Sequence, residues 1–163
     1  MEKITEERIA EAARKLAQGA TLKEVKGVSN AELEAVYSLA FSYYRTGRYD
    51  DAAKLFQFLV LFDHTSAKFW YGLGAVQQVQ KDYTGAVASY GYASFLDLKN
   101  PKPQFHAAEC FLALGDKVNA ASAIGALEAY CPETETGREY RAKAAELRKA
   151  IGEDAFKKMD ESA

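Results

Sequence analysis

Tyr49-Asp50-Asp51-Ala52 and Tyr83-Thr84-Gly85-Ala86 stand 34 residues apart, each an aromatic residue followed three positions on by alanine. The same offset carries Leu39 onto Leu73, Ala40 onto Gly74, Phe56 onto Tyr90 and Leu59 onto Ala93. A second step of 34 carries Leu73 onto Ala107, Gly74 onto Ala108, Ala86 onto Ala120 and Ala93 onto Leu127. A fixed period of this length marks an array of stacked units, none of which buries its apolar face alone. Small residues at 40, 74 and 108, and again at 52, 86 and 120, let the two helices of a unit approach closely. Tyr43, Phe56, Tyr90 and Phe111 fill the space between them. Gly47 and Gly115 fall just past helix ends, where a left-handed cap costs glycine least.

The period and its residue types resemble the tetratricopeptide repeat (TPR). The first copy reads Leu39, Ala40, Tyr43, Gly47, Tyr49, Ala52, Phe56, and the second Trp70, Leu73, Gly74, Tyr83, Ala86, Tyr90, Ala93. The third is weaker: Ala107, Ala108, Phe111, Gly115, Ala120 and Leu127, closed by Pro132. Departures are Gln77 and Lys81 in the second copy and Gln104, Lys117 and Ile124 in the third. Helices are expected from about Thr5 to Gln18 and Asn30 to Thr46, then over about 50–63, 67–80, 83–97, 102–114 and 117–130, with a last one from near Thr136 to Ile151. Ser29 with Glu32 forms a capping box at the first repeat helix, and Glu139 completes a second at the last helix. The expected architecture is an all-α TPR superhelix with flanking helices at both ends. It comprises an N-terminal helical extension over 1–28, three repeats over 29–132 (about 33–66, 67–100 and 101–132), a capping helix over 133–152 and a frayed polar tail over 153–163.

With 163 residues, 48% hydrophobic and 27% charged, the chain supports one domain with a substantial core. Twenty-one basic against 23 acidic residues give a net charge of -2, which argues against tracking phosphates, so no direct nucleic-acid partner is expected. Met1–Arg8 carries no apolar signal core, and the apolar runs Phe58–Phe62 and Phe69–Val76 fall well short of the roughly 20 residues that cross a bilayer. No membrane association is expected. Cys110 and Cys131 form no C-x-x-C pair and have no histidine at metal-ligand spacing. They read as buried free thiols of a reducing cytoplasm, with no metal and no cofactor. Twenty aromatic residues, most of them between Tyr37 and Phe111, make up 12% of the chain and call for a use of large, rigid apolar area.

The helix from Asn30 to Thr46 points to that use. Val36, Leu39, Ala40 and Tyr43 form the face packed inside the repeat, while Tyr37, Phe41 and Tyr44 form a second stripe about 100° around the axis. A helix with one buried face would be polar there. The first helix of each TPR lines the concave side of the stack, and the following repeats hold Lys68, Tyr71, Ala75 and Gln78, then Lys102, Phe105, Glu109 and Leu112, at the matching positions. The trough is therefore aromatic at its N-terminal end and mixed toward the other. Left open, such a patch marks a binding surface; the alternative is that the helix before Gly19 folds over the stripe and buries it. Ile4, Ile9, Ala13 and Leu16 give that first helix an apolar stripe of its own, and residues 1–28 are expected to mediate a homodimer.

Further stretches narrow the resemblance. Gly19-Ala20-Thr21-Leu22-Lys23-Glu24-Val25-Lys26-Gly27 precedes the first repeat, and Tyr37-Ser38-Leu39-Ala40-Phe41-Ser42-Tyr43-Tyr44-Arg45-Thr46-Gly47-Arg48 follows within it. Phe56-Gln57-Phe58-Leu59-Val60-Leu61-Phe62-Asp63-His64 and Phe105-His106-Ala107-Ala108-Glu109-Cys110 come later. Together these resemble the class II chaperones of bacterial type III secretion systems, which hold the two pore-forming translocator proteins. The likeness covers roughly residues 4–150, and its Gly-Ala-Thr-Leu-Lys segment is one a generic TPR has no reason to carry. It implies three TPRs with an N-terminal extension and a concave groove that takes an extended segment from the translocator's N-terminal region. It also implies groove residues Tyr37, Phe41, Tyr44, Phe62, His64, Lys68, Tyr71, Tyr90 and Phe105, and a dimer built largely through the N-terminal helical region.

Three other readings compete. An enzyme would have only His64 and His106 as bases near neutral pH, with no nucleophile elbow, P-loop or H-E-x-x-H motif, so no catalytic residue is expected. A clamp for a heat-shock partner's carboxylates would want Lys and Asn where Tyr37 and Phe41 stand, and Lys68 and Lys102 alone do not form it. A TPR scaffold or adaptor for another peptide partner is set aside chiefly by the family resemblance.

Overall fold

The computed structural model describes residues 6–161, which fold into helices with no strand among them. In chain order these are α1 (Glu6–Ala17), α2 (Leu22–Lys26), α3 (Asn30–Arg45), α4 (Tyr49–Phe62), α5 (Ala67–Val79), α6 (Tyr83–Leu96), α7 (Pro101–Ala113), α8 (Lys117–Tyr130), α9 (Glu135–Ile151) and α10 (Glu153–Glu161). Helices α3/α4, α5/α6 and α7/α8 pair, and each pair stacks on the next through α4 on α5 and α6 on α7. α9 closes the stack against α7 and α8, and α10 packs on α8. The fold is the TPR superhelix.

The small residues of the period lie at the points of closest packing. Ala40, Ala52, Ala86, Ala108 and Ala120 are fully buried. A β-carbon at Gly72 would overlap the Phe56 ring, and one at Gly74 would lie 2.8 Å from the ring of Tyr90. Phe56 and Tyr90 are themselves 2% and 1% exposed, so neither ring has room to retreat. The first two repeats thus each seat an aromatic ring of their second helix against bare backbone on α5.

On α3 the packed face is broader than the periodicity implies. Leu33 and Ala40 are buried, and Val36, Tyr37, Tyr43 and Tyr44 pack partly against the same core. Leu39, expected inside, is 45% exposed. The reason is that a first helix touches both its own partner helix and the first helix of the next repeat, here α4 and α5. The contact is wide enough to draw in Tyr37 and Tyr44 from one side, which rotates Leu39 out on the other.

The ends differ from expectation in two places. Thr134, two residues before the expected start, caps α9 by accepting from Gly137 N–H, and Glu139 bonds Lys143 instead of closing a capping box. The tail expected to fray is helical over Glu153–Glu161, with Ala155 and Phe156 buried and the Arg148 guanidinium 3.7 Å from the Phe156 ring centre. Ala155, Phe156 and Met159 give this otherwise charged segment an apolar edge that docks on the last core.

The segment before the first repeat has a structural task. Thr21 and Glu24 make a reciprocal capping box that starts α2. Lys23 then reaches across to Asp63 at the C-terminal end of α4, Nζ donating to Oδ2 at 2.6 Å. Asp63 is 7% exposed and accepts a second bond from the Thr65 hydroxyl at 2.6 Å. Burial pushes its carboxyl up, but Lys23 and Thr65 outweigh this and hold it below the usual range.

Lys81 sits at φ 64°, the position where the other two repeats carry Gly47 and Gly115 at φ 78°. A left-handed lysine costs about 1 kcal/mol. Lys81→Gly is therefore expected to raise stability by about 0.5 kcal/mol, whereas Gly72→Ala, forced against an immobile ring, is expected to lower it by about 1–3 kcal/mol. Chemical denaturation of the two variants against the parent reads both signs.

Candidate functional site

Helices α3, α5 and α7 share one side of the stack, and a cleft of about 440 Å³ opens there. Tyr44 closes one end from the last turn of α3. Tyr71, Ala75, Gln78 and Val79 come from α5, His106 and Glu109 from α7, and Tyr83 and Tyr90 reach in from α6. The ring centroids of Tyr71 and Tyr90 are 5.7 Å apart, and that of His106 is 6.0 Å from the first and 5.6 Å from the second.

A chain of hydrogen bonds orders the polar groups. Tyr90 Oη donates to Gln78 Oε1 at 2.8 Å, and Gln78 Nε2 donates to Glu109 Oε2 at 3.2 Å. The same carboxylate oxygen lies 2.8 Å from His106 Nδ1. Burial pushes the Tyr71 phenol up to about 12 and that of Tyr90 higher still, so both remain neutral hydroxyls. Burial also works to raise Glu109, but the bonds from His106 and Gln78 and the charge of Lys143 hold it below the ordinary carboxylate range. The cleft therefore combines aromatic faces with one fixed anion.

Tyr44, Tyr71 and Tyr90 of the expected groove set meet in this cleft. Tyr90 is the buried floor rather than a free wall. Tyr37 straddles core and groove: its ring packs edge-on to Phe56 at 5.9 Å and lies beside Phe41 at 6.4 Å, with Lys68 Nζ 4.3 Å above it. Phe41 is 45% exposed, and Lys68 pairs with Glu34. Phe105 is withdrawn into the last core, edge-on to Tyr140 at 5.4 Å. Phe62 stacks on Phe58 at 4.3 Å near the end of α4, and His64 follows in the turn, where its carbonyl accepts from Trp70 Nε1; neither lines the cleft. Gln78 and Glu109 were legible as groove positions by the 34-residue offset, whereas Tyr83 opens a second helix and is brought in by the superhelical curvature alone.

α1 does not cover this surface. It leans on α2, with Ile9 57% and Leu16 45% exposed and Ala13 exposed beside them, and no residue of α1 lines the cleft. Ile4 lies outside the described residues. No described helix is long and apolar enough to cross a membrane.

Comparison with known proteins agrees with the repeat fold. The tetratricopeptide-repeat family model matches residues 33–64 and 67–100. The chain is 42% identical over 106 residues to the low calcium response locus protein H of Yersinia pestis, covering 65% of this chain and 63% of that relative. It is 34% identical over 110 residues to the chaperone protein SicA of Salmonella dublin, covering 67% of each. It superposes with a TM-score of 0.72 and 37% identity on the Yersinia enterocolitica type III secretion chaperone SycD, solved with a peptide of the translocator YopD, over 76% of this chain and 95% of that one. The chain belongs to the type III secretion translocator chaperones.

In this chaperone the cysteines stay out of the site. Cys110 and Cys131 are buried, and burial pushes the Cys110 thiol up to about 12, leaving it an inert core side chain beside Glu109.

Because Glu109 is held below its unfolded range near 4, its ionised form adds stability above that range and the contribution is lost as pH falls through the folded value. Between pH 6 and pH 3 the melting temperature of the parent is expected to fall further than that of Glu109→Gln. Calorimetric scans of both proteins across that interval give the comparison.

Proposed function

We propose that this protein is a cytoplasmic chaperone of a type III secretion system. Its concave groove holds an extended N-terminal segment of a hydrophobic translocator and keeps that protein soluble and unassembled before secretion. It acts by binding, not by catalysis. The observation that carries the reading is the open, tyrosine-lined cleft, with Phe41 exposed one turn before Tyr44 and no flanking helix laid across. Tyrosine and phenylalanine offer wide apolar contact at low side-chain entropy cost, and the tyrosine hydroxyls meet a guest's backbone. An extended, proline-bearing guest loses less freedom on docking than a flexible one. Phe41, Tyr44, Tyr71 and Lys68 form the accessible part of this groove; Tyr37 and Tyr90 brace it.

The same reading extends to self-association. The exposed side of α1, with Ile9, Ala13 and Leu16, is the surface through which a second copy docks in the free chaperone. Amphipathic helices with a naked apolar stripe need such cover.

Burying an aromatic ring in a peptide pocket contributes on the order of 2 kcal/mol, and binding energy concentrates in such rings. Phe41→Ala with Tyr44→Ala should weaken binding of the YopD peptide about tenfold or more, read by fluorescence anisotropy. Phe41→Ala alone should leave the melting temperature almost unchanged, while Tyr44→Ala gives up its contact with Tyr49 and costs about 1 kcal/mol. Full retention of the peptide by the folded double variant would move the guest to the outer face, where Phe58, Leu61 and Phe95 are exposed. Removing residues 1–20 should convert dimer to monomer in light scattering, and an unchanged mass would count against the α1 interface.

A further inference from the structure

Along the groove, residues 41, 75 and 109 are equivalent by the 34-residue offset, and they are Phe41, Ala75 and Glu109. This row of the trough therefore changes from apolar to anionic toward the third repeat, beside a row that runs Glu34, Lys68, Lys102. The anion sits in a particular setting. The rings of Tyr44, Tyr71, Tyr83 and Tyr90, with His106, surround the cleft that Glu109 lines. Aromatic faces carry partial negative charge and attract cations, and several around one carboxylate make a cage for a positive group.

The free side of the carboxylate fits that ligand. Glu109 takes both hydrogen bonds, from Gln78 and His106, on Oε2, and Oε1 has no partner among the described residues. The two bonds fix the carboxylate in place, so a ligand need not organise it. Elsewhere this chain seats its own cations on rings: Lys68 on Tyr37, Arg48 on Tyr43, Lys143 on Tyr140 and Arg148 on Phe156. The four cleft tyrosines take none of these. Lys143, whose charge reaches Glu109, is itself bonded to Glu139 at 2.6 Å. Among the described residues the half-withdrawn carboxylate has only the His106 ring and the Gln78 amide bound to it, both on Oε2, and no lysine or arginine, which leaves Oε1 for a cation from outside.

We propose that the third-repeat end of the groove is a cation subsite, in which Glu109 and the surrounding tyrosines receive a lysine or arginine side chain of the bound guest segment. The proposal rests on the groove being the guest site. It gives the guest a register: apolar residues toward Phe41, a basic residue toward Glu109. The tyrosine hydroxyls and the carboxylate both accept from an ammonium or guanidinium, while the aliphatic stem of that side chain packs on Ala75 and Val79.

Two measurements on the full chain test it. In the first, each position of the YopD peptide is replaced in turn by lysine, norleucine and glutamate, and affinities are measured for the parent and for Glu109→Gln. At one position lysine should bind the parent about tenfold tighter than norleucine, with glutamate weakest. In Glu109→Gln the lysine-to-norleucine ratio at that position should fall to about one. Glutamine keeps the size and accepting oxygen of the side chain, and matched melts show whether the variant is folded. In the second, the parent is titrated with Nα-acetyl-lysine methylamide and with its norleucine analogue while the His106 ring protons are followed by NMR. The lysine probe should shift them, less so at high salt, and the norleucine probe should not. Equal shifts from both probes, or a lysine preference that survives Glu109→Gln, would overturn the cation subsite. Shifts from the lysine probe alone, with no peptide of the series bound, would uphold the subsite and sink the guest reading instead.

Discussion

Two aromatic rings resting on bare glycine backbone set the geometry of this molecule. Phe56 of α4 lies against Gly72 and Tyr90 of α6 against Gly74, so α5 is gripped from both sides by helices that could come no nearer if either glycine had a side chain. Close approach of this kind is a packing constraint rather than a propensity: the ring fills the volume the missing β-carbon leaves, at the density of a protein interior. It fixes how closely α4 stands to α5 across the first junction and α6 to α5 within the second pair. The cleft is a consequence. Tyr90 reaches its floor because it is the same ring that Gly74 admits.

The groove is built on rigid ground. Its tyrosines project from helices whose opposite faces are core, and a hydrogen-bond chain from Tyr90 through Gln78 to Glu109 and His106 ties α5, α6 and α7 together across it. A partner meeting such a surface finds side chains already ordered, so little further entropy is lost on either side of the contact. Large flat rings with polar tips suit a guest recognised by its extended form more than by one residue. In the proposed reading the fixed carboxylate at one end supplies what rings alone lack, a polarity that distinguishes one direction of threading from the other.

The N-terminal extension is held by different physics. α2 has no buried residue and is anchored by charge, through Lys23 on the sequestered carboxylate of Asp63. Capping by Thr21 starts that helix where Lys23 faces α4. This accounts for a segment that has no place in the repeat pattern. α1 beyond it is tethered but uncovered, which leaves its apolar stripe for another surface and the groove unobstructed.

The repeat period, the pairing of helices and their ends to within a residue or two were legible because they follow from local rules: spacing of small and aromatic residues, capping boxes and prolines. So were the aromatic composition of the groove and the positions Gln78 and Glu109, which a 34-residue offset alone places on the concave side. Tertiary structure decided how each ring is used. Tyr90, an interior filler by periodicity and a groove residue by the family resemblance, became the floor, and Phe105, a groove residue by register, became core, because the neighbouring helix covers them and no sequence offset encodes that neighbour. Leu39 turned outward and Tyr37 partly inward for the same reason, since two helices press on α3. The helical tail depends on the last core, on which Phe156 docks, and the entry of Tyr83 and the gathering of four tyrosines, a histidine and a carboxylate around one cleft depend on a sum over contacts distant in the chain. Sequence determined which repeat helices form and what they are made of; only the packed stack determined that the tail is a helix and which side chains remained facing water.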